Sequence, residues 1–263
     1  MNTRTATAKR LWALDAPTMN LDAGQLVVGA EGTITFPLPA FLIEHERGLI
    51  LFDTSFTPAL NDDPYSVFGD LVDVLGIKTN PSHRIDTQIA KLGFRVEDIT
   101  HVILSHTHSD HSGGLFLFPT AKFLVGPGEF NWAENPSPAQ AHLFRAEDIN
   151  PVRHLDWTTL GGPELDLFGD GSIRILHTPG HTPGELSCVV ALPSQSIVLT
   201  GDTVHLREAL DWEAPDPHDW NPEVGKRSIQ LLKKIRDTEN ARIWIGHDPN
   251  DWLEFGGPMT AQE

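Results

Sequence analysis

The 263-residue chain carries 36 acidic and 19 basic residues, a formal net charge of −17 at pH 7. Such an acidic balance repels phosphate backbones and argues against a nucleic-acid partner. With 40% apolar residues the chain can build one sizeable core, and we expect a single domain over residues 1–263. It shows neither an apolar run of membrane-spanning length nor a signal-peptide pattern, so we expect no membrane association. The lone cysteine, Cys188, cannot form an internal disulfide, which fits a cytoplasmic protein.

Short runs rich in β-branched residues predict strands along most of the chain. The predicted strands cover 40–45, 49–54, 100–105, 121–126, 173–178, 187–192, 196–202 and 241–248. The short links 46–48 and 193–195 predict hairpins between neighbouring strands. The sequence therefore favours a core dominated by strands.

Helical patterns alternate with these strands. Apolar residues at helical spacing predict a helix from residue 85 to 92 that stops at Gly93, and Ser112 is predicted to cap another. Asn221 followed by Pro222 predicts the start of a longer amphipathic helix. Two less regular stretches, 57–84 and 126–165, are predicted to form loops and short helices that overhang a site. This order of elements indicates a mixed α/β layered fold.

Histidine and aspartate accumulate where four predicted strands end. These residues are His106, His108, Asp110 and His111 after the third strand, and His181, Asp202 and His247 after three later strands. Strand ends on one edge of a sheet can converge on one point. The resulting five imidazoles and two carboxylates exceed what one zinc ion needs and suit two ions that share a ligand. A carboxylate can bridge two metals through its two oxygens, so an aspartate is the expected bridge.

Two details of this pattern have simpler readings. The histidines and aspartate of residues 106–111 could merely cap a helix, and Asp202 alone could simply turn the chain, but the joint spacing of four strand ends favours metal binding. Gly113 and Gly114 are interpreted as backbone freedom for a tight exit from the ligand loop. They lack the spacing and the lysine of a phosphate-binding loop.

The charge of the predicted site can be counted as well. Two divalent ions together with Asp110, Asp202 and a hydroxide leave a net charge of about +1, which would attract an electron-rich carbonyl.

The motifs HTHSDH at 106–111, TPGHTPG at 178–184, GD at 201–202 and GHD at 246–248 resemble the metal signature of the metallo-β-lactamase superfamily. Within it, the chain most resembles the N-acyl-homoserine lactonases. The resemblance implies an αββα sandwich, in which two facing mixed sheets are flanked by helices and hold the metals at one edge. It implies two Zn²⁺ ions, with Co, Mn or Fe as alternatives, and it is compatible with a homodimer. It assigns His106, His108 and His181 to one ion, Asp110, His111 and His247 to the other, and Asp202 to the bridge.

The resemblance also implies a reaction. A hydroxide held between the ions attacks a lactone carbonyl, and Asp110 carries a proton to the leaving alkoxide. His205 stands where familiar lactonases have a tyrosine that contacts the substrate carbonyl, so we expect His205 to take part in catalysis. True β-lactamases of the superfamily commonly have a cysteine in place of Asp202, which disfavours antibiotic hydrolysis. An apolar surface for the acyl chain is predicted from residues of irregular segments, namely Met19, Tyr65, Phe68, Phe130 and Trp132.

Three other functions remain open from the sequence. The same scaffold could hydrolyse a different lactone, a thioester, an aryl ester or a phosphoester. It could be a mononuclear iron dioxygenase, although seven ligands are more than such a site uses. A non-catalytic binding protein is the third alternative, and it is disfavoured because no metal position of the pattern is lost.

Overall fold

The computed structural model describes residues 8–138 and 140–263. In chain order its strands are β1 (Ala8–Ala13), β2 (Thr18–Asp22), β3 (Thr33–Pro37), β4 (Phe41–His45), β5 (Gly48–Phe52), β6 (Ile99–Ile103), β7 (Lys122–Val125), β8 (Trp157–Thr159), β9 (Glu164–Asp166), β10 (Ile173–His177), β11 (Leu186–Ala191), β12 (Ser196–Leu199) and β13 (Arg242–Trp244). The α-helices are α1 (Pro58–Asp62), α2 (Pro64–Phe68), α3 (Leu71–Val74), α4 (Ile85–Lys91), α5 (Ser109–Ser112), α6 (Glu129–Glu134), α7 (Ala146–Ile149), α8 (Arg207–Trp212), α9 (Pro222–Glu239) and α10 (Pro249–Glu254).

Two mixed sheets form the centre of the fold. The six-stranded sheet has the order β1-β4-β5-β6-β7-β8, and the five-stranded sheet has the order β13-β12-β11-β10-β9. Strands β5 to β8 run parallel, whereas β1, β4 and β5 pair antiparallel. In the other sheet, β12 and β13 are parallel and the remaining pairs are antiparallel. A separate hairpin pairs β2 with β3.

Alternating side chains of the strands divide the core into layers. Ile43 and Phe52 of one sheet belong to a buried cluster with Ile175 and Leu199 of the other, so the two sheets face each other. The opposite faces of both sheets are covered as well. The outer face of the six-stranded sheet packs on helices α4 and α7, and the outer face of the five-stranded sheet packs on α9 and on the β2–β3 hairpin. The αββα arrangement expected from the resemblance is confirmed.

Each of the eight predicted runs overlaps a strand, and both predicted hairpins are present, with His45 opposite Gly48 and Ala191 opposite Ser196. Helices α4 and α9 also match the sequence pattern, and the Asn221 side chain accepts a hydrogen bond from the Val224 N–H as the predicted cap. The predicted cap at Ser112 is wrong. Helix α5 already ends at Ser112, whose hydroxyl donates back to the His108 carbonyl oxygen. Among the described helices, none is long and apolar enough to cross a membrane.

Candidate metal centre

The seven predicted donors converge at the ends of strands from both sheets. His106 and His108 follow β6 of the six-stranded sheet, and α5 carries Asp110 and His111 directly after them. The other three donors follow β10, β12 and β13 of the five-stranded sheet; they are His181, Asp202 and His247. The strand ends alone suggested one edge of a single sheet, which is corrected, whereas the two facing sheets that the resemblance implied are confirmed. The ligand set spans the gap between two facing sheets, so their packing fixes its geometry.

Gly113 ends the ligand loop for a reason different from the predicted backbone freedom. Its φ of −64° is one that any residue adopts. A Cβ atom at Gly113, however, would lie 2.8 Å from the Phe56 Cα and still closer to the Thr57 nitrogen. The glycine is needed because two backbone segments touch behind the ligands.

We expect Gly113→Ala to lower the free energy of unfolding by about 3 kcal/mol, at the upper end of overpacking costs because the neighbouring atoms are backbone. Urea unfolding measures this difference. Gly161→Ala is the matched control, since nothing lies within 4 Å of a Cβ at that glycine. Equal unfolding midpoints for the two variants would contradict the close-packing account.

Asp202 occupies the centre of the cluster and divides its two carboxylate oxygens between two sets of imidazoles. Its Oδ2 lies 3.6 Å from Nε2 of His106 and 3.6 Å from Nε2 of His181. Its Oδ1 lies 3.3 Å from Nε2 of His111 and 3.0 Å from Nε2 of His247. Asp202 thus stands between two sets of imidazole nitrogens.

The donor atoms form two compact groups. His106, His108, His181 and Asp202 make one, and Asp110, His111 and His247 make the other, with the atoms of each group within 4.8 Å of one another. Nε2 of His106, Nε2 of His111 and Oδ1 of Asp202 are buried and have no hydrogen-bond partner among the described residues. Buried polar atoms are costly when they lack a partner, and these nitrogen and oxygen donors suit a divalent metal. The residues present fit a divalent metal site.

Burial and mutual charge control the protonation of this cluster. Desolvation, helped by the neighbouring imidazoles of His111 and His108, holds the pKa of His106 well below its usual value, which favours the neutral form that binds metal. Burial opposes ionisation of Asp202, but the surrounding imidazoles, His111 first, hold its pKa well below the usual range. Burial lowers the pKa of His111, but the carboxylates of Asp202, Asp110 and Asp53 outweigh it and hold that pKa well above its usual value.

Outer groups orient the imidazoles through their second nitrogen. Nδ1 of His111 lies 2.9 Å from Oδ2 of Asp53, and Nδ1 of His247 lies 2.8 Å from the Pro37 carbonyl oxygen. Nδ1 of His181 lies 3.2 Å from Oδ1 of Asp219. Such contacts fix the ring so that the other nitrogen faces the metal. Sequence reasoning missed these partners. The one available signal was Asp53, an aspartate that ends a strand as Asp202 does.

Glu185 is a further buried carboxylate that sequence reasoning missed. Its Oε1 accepts a hydrogen bond of 2.9 Å from the Asp202 N–H, and its Oε2 lies 3.3 Å from Nδ1 of His106. Burial and the charge of Asp202 raise its pKa well above the usual value. The residual charge of +1 counted from the ligands alone therefore leaves out carboxyl groups that surround the ligand shell.

His205 lies beside the metal cluster and lines the cavity that opens onto it. Its Nε2 is 3.1 Å from Oδ2 of Asp202, and its Nδ1 is 3.6 Å from Oδ2 of Asp216. Burial lowers the pKa of His205, but the carboxylate of Asp202 outweighs it and raises the value to about 9. His205 and Asp216 also come close to His181, which belongs to the first donor group, so these three do not make an independent site.

The cavity has a volume of about 400 Å³ and joins the metal cluster to an apolar wall. Its apolar lining consists of Met19, Leu21, Leu26, Phe36, Leu75 and Leu143. Polar side chains complete it, namely Gln25, His142, His218, Asp216 and the donors His108, Asp110, His181, Asp202 and His247. Both irregular stretches, 57–84 and 126–165, contribute to the wall through Leu75 and Leu143.

Of the five side chains predicted to form the apolar surface, only Met19 is among the lining residues. Tyr65 is 54% exposed, and Phe68 packs edge-on against Phe56. Phe130 packs against Trp157, and the Trp132 indole donates to the Gln140 side chain. The wall is built instead largely by Leu21, Leu26 and Phe36 of the β2–β3 hairpin, which the sequence pattern did not reveal.

Comparison with known proteins gives consistent matches over nearly the whole chain. The chain is 29% identical to the N-acyl homoserine lactonase AttM of Agrobacterium fabrum over 252 residues, covering 94% of this chain and 95% of the relative. It is 27% identical to the N-acyl homoserine lactonase AiiA of Bacillus thuringiensis subsp. kurstaki, covering 92% and 94%. These relatives confirm the expectation of a metal-dependent hydrolase.

Solved structures of lactonases are also similar to this chain over nearly its whole length. A mutant of B. thuringiensis AiiA with N-decanoyl-L-homoserine bound at its active site superimposes with a TM-score of 0.81 at 26% identity, covering 94% of this chain and 96% of that one. The dizinc lactonase AidC, 19% identical, shares the fold with a TM-score of 0.68 over 93% and 92% of the two chains. The family model of the metallo-β-lactamase superfamily matches residues 35–247, and the chain belongs to this superfamily.

Proposed function

We propose that the protein opens the lactone ring of N-acyl-homoserine lactones and thereby quenches bacterial quorum signals. The observation that carries the proposal is the continuity of the cavity, whose lining includes both metal donors and an apolar wall. A substrate with a polar ring and an apolar chain fits such a cavity. The names of AttM and AiiA support the same substrate class.

The proposed cofactor is a pair of Zn²⁺ ions, for which Co, Mn or Fe could substitute. His106, His108 and His181 would hold one ion, Asp110, His111 and His247 the other, and Asp202 would contribute one oxygen to each. When bound, such a pair lowers the pKa of a shared water to about 7 and so supplies a hydroxide nucleophile at neutral pH. The single buried thiol, Cys188, fits a cytoplasmic location for this chemistry.

Two side chains are assigned tasks toward the substrate. Asp110 lines the cavity, and its Oδ2 lies 3.4 Å from Nε2 of His111, so the carboxylate stands at the boundary between ligands and solvent. We assign to it the transfer of a proton from the hydroxyl group added to the carbonyl carbon to the ring oxygen, which leaves as an alcohol while the carbonyl carbon becomes a carboxylate. His205 lines the same cavity, and we assign to its Nε2–H, which faces Oδ2 of Asp202 at 3.1 Å, a hydrogen bond shared with the lactone carbonyl, in the place of the tyrosine of familiar lactonases.

The test is proton release by zinc-loaded protein with short- and long-chain N-acyl-homoserine lactones, with γ-butyrolactone and a thioester as alternative substrates. We expect fast ring opening of the acyl-homoserine lactones and its loss in His106→Ala. Turnover confined to the thioester or to γ-butyrolactone, by protein that carries two ions, would reject the proposed substrate and favour another hydrolase of the superfamily.

The apolar wall is expected to determine which lengths of acyl chain bind. Leu75→Trp places a larger side chain in this wall, and we expect KM for a ten-carbon acyl chain to rise about tenfold, the effect of roughly 1.4 kcal/mol of lost binding. KM for a four-carbon chain should stay within about twofold. Leu253→Trp serves as control, because Leu253 is 74% exposed and does not line the cavity. Equal changes for both chain lengths would place the acyl chain elsewhere.

A further inference from the structure

The segment between α8 and α9 places two carboxylates behind two different imidazoles. Oδ1 of Asp219 lies 3.2 Å from Nδ1 of His181, and Oδ2 of Asp216 lies 3.6 Å from Nδ1 of His205. Both aspartate side chains are only 5% exposed. Two acids three positions apart thus face two histidines that come from different strand ends.

This segment is tied to the chain around His181 by its backbone. The Trp220 N–H donates to the His181 carbonyl oxygen at 3.1 Å, and the Asn221 N–H donates to the Gly180 carbonyl oxygen at 3.0 Å. The buried Gln140 amide donates to the carbonyl oxygens of both His181 and His218. The segment therefore forms a fixed unit with the loop that carries His181.

Helix α9 gives Asp219 its place. A Cβ atom at Gly225, in the first turns of the helix, would lie 2.7 Å from Oδ2 of Asp219, so a glycine there leaves room for the carboxylate. The N-terminal end of a helix also favours a nearby negative charge. Packing and electrostatics both hold the carboxylate against the His181 ring.

The contact of Asp219 with His181 and the contact of Asp216 with His205 have different consequences. A carboxylate that accepts from Nδ1 of His181 keeps the proton on that nitrogen and leaves Nε2 with a lone pair for a metal; Nε2 lies 3.1 Å from Nδ1 of His108 within the first donor group. His205 is not among the seven predicted ligands, and its Nε2 faces Asp202 and the cavity. Fixing its ring fixes the direction of a group that meets the substrate.

We propose that Asp219 and Asp216 are positioning residues with separate tasks, Asp219 orienting His181 for the metal and Asp216 orienting His205 for the substrate carbonyl. The assignment of Asp219 rests on the donor cluster alone. The assignment of Asp216 rests on the proposed function of His205.

Asp219→Asn and Asp216→Asn test the proposal, and each is the matched control of the other because the change and the segment are the same. Metal affinity is measured by competition with a chromophoric chelator, and kcat and KM are measured at saturating zinc. We expect Asp219→Asn to weaken zinc binding between 10- and 100-fold, while kcat recovers once zinc saturates. We expect Asp216→Asn to leave zinc binding within about twofold and to lower kcat about tenfold.

Two further measurements test the roles of Asp219 and Asp216 without relying on lactonase activity or on the folding of a single variant. Gly225→Ala pushes on Asp219 from the helix side and should weaken zinc binding in the same direction as Asp219→Asn, by a smaller factor. Histidine ¹⁵N resonances should show a large change at His205 in Asp216→Asn, which loses the direct contact with Nδ1, and a smaller one in Asp219→Asn, whose carboxylate acts on His205 only through its charge.

Unchanged zinc affinity in folded Asp219→Asn would overturn the first half, and an unchanged His205 resonance in Asp216→Asn would overturn the second. Parallel loss of both properties in both variants would replace the two tasks by one general structural role. If the wild-type protein opens no acyl-homoserine lactone, the proposed function fails, whereas zinc affinity and the His205 resonance still decide the positioning roles.

Discussion

Asp202→Asn is expected to reduce kcat/KM by on the order of 10³-fold or more, the scale of removing a preorganised electrostatic group from a hydrolase site. Asparagine keeps the shape of the side chain but replaces one carboxylate oxygen with an amide nitrogen, which is not a metal ligand. In the structure each oxygen of Asp202 faces its own pair of imidazoles, so one of the two donor groups loses its shared oxygen whichever way the amide turns.

Metal content measured after dialysis should fall together with activity, from two ions per chain toward one or none. Asp211→Asn is the control, since it makes the same change at an exposed aspartate on α8 outside the cluster. A folded Asp202→Asn protein that retains two ions and nearly full activity would remove Asp202 from the bridging position.

The donors were readable from the sequence because each is close to a local pattern. His106 follows a run of β-branched residues, and Asp202 and His247 follow two more, so the strand ends could be recognised without knowing which strands pair. Helix α9 was equally readable from its cap and its apolar spacing. The division of the strands between two sheets could not be read from local patterns and came only from the family resemblance, because pairing across long separations leaves no periodic mark in the chain.

The residues that sequence reasoning missed act through contacts between distant segments. Asp219 meets His181 from 38 residues away, and Glu185 meets Asp202 from 17 residues away. The cavity wall comes largely from the hairpin of β2 and β3, which form a two-stranded sheet of their own and show no strong strand pattern. The prediction therefore rested on aromatic residues of irregular segments and chose Tyr65 and Trp132 for the apolar wall, whereas Leu21 and Phe36 of the hairpin line the cavity.

These missed residues change the electrostatic account of the site. Asp53, Asp219 and Glu185 add carboxyl groups to those of Asp110 and Asp202, all within a largely buried cluster. Carboxylates at this density repel one another unless cations or protons lie between them. Bound metal is thus expected to contribute to the stability of the fold as well as to the reaction.

Removal of the metal by a chelator is accordingly expected to abolish hydrolysis and to lower the melting temperature by roughly 10 °C. A ligand present at a thousandfold excess over its Kd stabilises the folded state by about 4 kcal/mol, and a chain of this size loses about 2 to 4 °C for each kcal/mol. The buried donors that lack hydrogen-bond partners, His106 Nε2 and Asp202 Oδ1 among them, are the atoms left unsatisfied.

Calorimetry of the loaded, chelated and reloaded protein measures the effect, and reloading with zinc should restore both the melting temperature and the activity. His106→Ala is the control, because a protein that has already lost an imidazole of the first donor group should respond much less to the chelator. A melting temperature that stays constant while the metal content falls to zero would contradict this prediction. It would show that hydrogen bonds and protons alone hold the cluster together. The carboxyl groups behind the imidazoles would then be stabilised by protonation rather than by a metal.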